Sequence, residues 1–79
     1  MAQELKTRIY TKYEEEQNVV VMEVLYVDFE TRLVKQIVKT ITDLQTYKSR
    51  RYNYIVDDEA NFDTYRKMLV NEGYTYIGD

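Results

Sequence analysis

Histidine, cysteine, proline and tryptophan are absent from the 79 residues, glycine occurs twice and serine once. Each absence excludes something. Without histidine or cysteine, serine–histidine and cysteine–histidine catalysis, the usual zinc sites and thiol redox chemistry lose their actors. Two glycines, Gly73 and Gly78, are too few and too late to build a phosphate-cradling loop. Disulfide and zinc staples, which support many small domains, are ruled out too. No apolar run approaches the roughly 20 residues that span a bilayer, and the polar "AQELKTR" after Met1 lacks the apolar segment of a secretory signal. The expectation is a cytoplasmic chain with no membrane contact, no cofactor and no metal.

The residues present are those of one ordinary folded domain, 44% hydrophobic and 32% charged, with charges of both signs interleaved. A chain this short hides only about 60–65% of the surface its unfolded form exposes, so a second copy is one expected source of stability. The net charge of −3 disfavours nucleic-acid binding through the whole-molecule field, because affinity for phosphates comes mainly from Lys and Arg.

Alternation predicts a strand over 5–13, with Leu5, Thr7, Ile9, Thr11 and Tyr13 on one side and Lys6, Arg8, Tyr10 and Lys12 on the other. Its charged side suits a sheet edge. After the polar "EEEQN", residues 19–28 are apolar on both sides except for Glu23, the pattern of a central strand. Residues 31–44 have a helical stripe but a β-branched composition, so one helix over 31–50 stands against a third strand over 33–41 and a short helix over 43–50. The second reading is adopted, with "DFETR" as a hairpin turn and Thr42 and Gln45 as a capping box. "YNYIV" reads as a strand. A helix follows, with Asp57, Asp58 and Glu59 at its start, a stripe of Phe62, Tyr65, Met68 and Leu69, and Gly73 as its C-terminal cap; Tyr74 folds back on Leu69. "YTYIG" closes the chain, parallel to "YNYIV" in a βαβ unit or antiparallel if the two are separated. The expectation is a small single α+β domain over 1–79 in the order β-β-β-α-β-α-β, with one mostly antiparallel sheet and helices on one face.

"KSRRYNYIVDDE" holds the sharpest candidate site. Lys48, Arg50, Arg51, Tyr52 and Tyr54, with Tyr74 and Tyr76 on a neighbouring strand, could form a binding surface of rings and cations. Unpaired bases could stack on such rings, the nucleic-acid reading; in the plainer alternative the cations favour a helix end and the rings pack under helices. "DDEANFD" sets Asp57, Glu59, Asn61 and Asp63 at the odd positions of a calcium loop. However, Phe62 stands at the turn glycine and Met68 at the bidentate glutamate, so helix capping explains the carboxylates better. Glu14, Glu15 and Glu16 read as a solvated hairpin tip. If Glu23 faces the core it needs a partner such as Arg8, Lys35 or Lys39. Nine tyrosines are more than so small a domain can bury. Together these features favour a non-enzymatic module that binds another protein and pairs with itself, in the manner of small accessory or inhibitory proteins such as those of phages and mobile elements; single-stranded nucleic acid is the alternative ligand.

Overall fold

The computed structural model describes residues 5–55 and 61–78. Four strands form an antiparallel meander: β1 (Leu5–Glu14), β2 (Val19–Asp28), β3 (Val34–Asp43) and β4 (Ser49–Ile55). Helix α1 (Phe62–Asn71) follows, and β5 (Thr75–Gly78) completes a five-stranded sheet of order β4-β3-β2-β1-β5. The chain is thus mostly sheet, with one described helix.

Cross-strand partners share a face. The register therefore places Tyr10, Val21, Glu23, Leu25 and Ile37 on the side where α1 lies, and Ile9, Met22, Val24 and Val38 on the other. The core is single-sided: Tyr10, Leu25, Val34, Phe62, Leu69 and Tyr74 are each at most 7% exposed. At the start of α1, Asn61 accepts a hydrogen bond from the Asp63 amide (2.9 Å). At its end Gly73, at φ +94°, turns the chain so that the Tyr74 amide reaches the Leu69 carbonyl (2.9 Å) and the Gly73 amide that of Val70 (3.1 Å). This Schellman pattern folds Tyr74 back beside Leu69 in the core, as the sequence suggests. Asp57, Asp58 and Glu59 lie outside the described residues.

Three expectations are corrected. Residues 43–50 hold no helix: Asp43 accepts hydrogen bonds from the amides of Gln45 (2.8 Å) and Thr46 (3.1 Å), and this turn delivers the chain to β4. The order is β-β-β-β-α-β. Strand β1 is not an edge, since β5 pairs with it antiparallel; the edges are β4 and β5. Nor is "YTYIG" the neighbour of "YNYIV", because three strands separate them.

Loops β2–β3 and β3–β4 are built alike. In "DFETRL" (28–33) and "DLQTYK" (43–48) an aspartate side chain accepts from the amides two and three residues on, and its carbonyl accepts from the amide four on, at Arg32 and Tyr47. Its own amide donates to the carbonyl five on. Arg32 and Tyr47 both adopt φ +60°. An aspartate that satisfies two turn amides fixes the loop, and a residue in the left-handed region closes it.

Candidate functional site

The structure divides the seven residues singled out in the sequence. Arg50, Tyr52 and Tyr54 occupy alternate positions of β4, opposite Ile41, Lys39 and Ile37, so all three stand on the helix side of the sheet. All three are exposed, Tyr52 at 39% and Tyr54 at 48%. Lys48, in the loop before them, borders the same surface: a depression of about 380 Å³ runs past Lys48, Arg50, Tyr52, Ile41 and Val19. Arg51 points to the opposite face. Tyr74 is buried at 5%, and Tyr76 lies on the far edge with its ring 5.3 Å from that of Tyr10. No single face therefore holds both arginines and the four tyrosines, the arrangement that nucleic-acid binding needed.

Helix α1 leaves the helix side of β4 exposed. A cleft of about 490 Å³ runs there between Tyr65 and Met68 of the helix and Tyr54 of β4. At its floor Glu23, only 6% exposed, accepts a hydrogen bond from the Tyr65 hydroxyl (3.3 Å). Of the cations expected to partner it, Lys39 is its cross-strand neighbour and also lines the cleft. Burial, and then the Glu23 carboxylate, push the Tyr65 phenol well above the ordinary phenol range, and the same two causes raise Tyr74. Tyr65 is thus a neutral donor held at the carboxylate, and Tyr74 lines the same cleft. Lys12 sits 4.5 Å from the centre of the Tyr74 ring and 2.8 Å from Glu14. With Glu72 on the opposite rim, the cleft presents both signs of charge.

Tyr65 and Met68 read in the sequence as core residues of the helical stripe. They stand instead at its margin: Leu69 is fully buried, whereas Met68 is 43% exposed. Their signal is weak, because a stripe tells which side of a helix is apolar but not how far the sheet beneath extends. Asn61 caps α1 and Asp63 pairs with Arg32 at 3.0 Å, so neither is arranged for calcium. Among the described residues no helix is long and apolar enough to cross a membrane. Comparison with protein-family models, with curated proteins and with solved structures gives no match to this chain.

Proposed function

We propose that this protein is a non-enzymatic module that binds another protein through the helix side of β4 and the adjoining cleft. The observation that carries the reading is the exposed row Arg50, Tyr52 and Tyr54 on one side of an edge strand, continuous with a cleft rimmed by Tyr65 and Met68. Tyrosine, arginine and methionine are the residue types enriched at protein interfaces, where rigid rings supply contact area at small entropic cost. A strand at the sheet edge also offers backbone groups to an extended segment of a partner. The carboxylates of Glu23, Glu72 and Asp43 are interspersed along this surface with Lys12, Lys39, Lys48 and Arg50, which suits a partner of mixed charge. Such a role is in keeping with an accessory or inhibitory protein acting on another protein.

The test is capture from nuclease-treated lysate, followed by calorimetry with the purified partner, comparing the wild type with Arg50→Glu/Tyr52→Ala/Tyr54→Ala. Truncating central aromatic and arginine contacts is expected to weaken binding by ~100-fold or more while circular dichroism stays unchanged. Equal affinity of both forms, or loss of the ligand on nuclease treatment, would overturn the reading.

A further inference from the structure

The side of the sheet that α1 does not cover mixes apolar side chains with uncharged polar ones and carries almost no charge. Register places Leu5, Thr7, Ile9, Thr11 and Tyr13 of β1 there, beside Val20, Met22, Val24 and Tyr26, then Gln36, Val38, Thr40 and Thr42. Ser49, Arg51 and Asn53 of β4 and Thr75 of β5, opposite Thr11, complete it. With 32% of the chain charged, a sheet face of this size left to solvent should carry several charges. Among these residues only Arg51, on an edge, is charged; Asp28 at the end of β2 is turned into its own loop, and Lys35 and Ile77 are the extra residues of bulges at the margins, which the register assigns to neither face.

We infer that this bare face is a self-association surface on which two copies of the chain pack sheet against sheet about a two-fold axis, with Ile9, Met22, Val24 and Val38 at the centre. Four observations converge. Strand β1 aims its apolar alternate positions at this face and Lys6, Arg8 and Lys12 at the helix side, so its amphipathic pattern is complete only if the bare face is covered. Three of the hydroxyls here are already engaged: Thr11 donates to the Val21 carbonyl (3.1 Å), and the Thr42 and Ser49 hydroxyls bond each other (2.8 Å). Covering these three leaves no donor among them unpaired. A face without charge can meet its own copy without like-charge repulsion, whereas a partner selected by charge would require a complement that is not there. Finally, strands of ten residues run ~33 Å and five strands span ~20 Å, a footprint of ~600 Å² per copy. Two such footprints fall at the lower end of stable protein interfaces. Isolated exposed rings need no explanation, but a face this extended in a chain without staples does. Arg51 would then lie at the polar rim.

The surface is the reverse of the one bearing Arg50, Tyr52 and Tyr54, so the two readings can fail separately. Sedimentation equilibrium over micromolar to millimolar concentration tests it. Wild type is expected at twice the 9.6 kDa chain mass. Val24→Lys at the centre should yield monomers with unchanged circular dichroism. Thr40→Lys, opposite Met22 at a position partly exposed in the single chain, should weaken association at least tenfold even if Val24→Lys fails to fold. Tyr52→Ala/Tyr54→Ala should stay dimeric. A monomeric wild type at every concentration would sink the inference, leaving the bare face to some other occupant. Dimers that survive Thr40→Lys unweakened but dissociate in Tyr52→Ala/Tyr54→Ala would also sink it, and would assign self-association to the helix side of β4.

Discussion

Burial, and then the Glu23 carboxylate to which Tyr65 donates, raise the Tyr65 and Tyr74 phenols, and this sets an alkaline limit on the fold. In the unfolded chain both ionise near the ordinary value of 10.0, whereas in the folded chain they keep their protons to higher pH. Above about pH 10 the unfolded state therefore binds fewer protons than the native one. Stability is fully present below that pH and falls as pH rises through the folded values. Urea midpoints measured across the alkaline range should decline accordingly, and phenolate absorbance should show these two rings ionising above the ordinary value of 10.0. If the midpoints stay flat through that range, burial and Glu23 do not raise these phenols in the folded state.

Among the elements, the paired loops are the parts whose sequence most directly sets geometry. Asp43→Ala removes the acceptor of two turn amides and should cost about 1–2 kcal/mol in urea unfolding. Tyr47 is 81% exposed and held at φ +60°. Tyr47→Gly should therefore leave stability equal or raise it by up to about 1 kcal/mol, since glycine takes that conformation freely. Gly73→Ala should lower stability by about 1 kcal/mol: open space surrounds the site, so the cost is conformational rather than steric. The same loops show why one element was misread. "TDLQ" satisfies a capping box and an aspartate turn equally well on local grounds. The recurrence of D-x-x-T at 28–31 and 43–46 was the readable sign that both are turns.

For the molecule as a whole, one ten-residue helix over one sheet is a thin core. A domain of this size has roughly 4–12 kcal/mol of stability in all. Leu25 and Leu69 are both fully buried. Either leucine replaced by alanine should cost about 2–5 kcal/mol, enough to leave much of the chain unfolded at 37 °C, as thermal melts by circular dichroism would show. If two copies share the bare face, the melting temperature of the wild type should rise with protein concentration and that of Val24→Lys should not.

The sequence by itself determined the strands at 5–13 and 19–28, the apolar stripe and the glycine cap of the helix, and the lack of histidine and cysteine chemistry. Each of these rests on residues close together in the chain, through alternation, capping or composition. Tertiary structure alone decided that "YNYIV" and "YTYIG" lie at opposite edges, which separated the expected cluster of tyrosines and arginines. It also decided that the apolar side of β1 faces away from the helix. Strand order depends on which long-range pairings close with the least strain and bury the most, and the alternation of one strand does not record which of its faces the chain will cover.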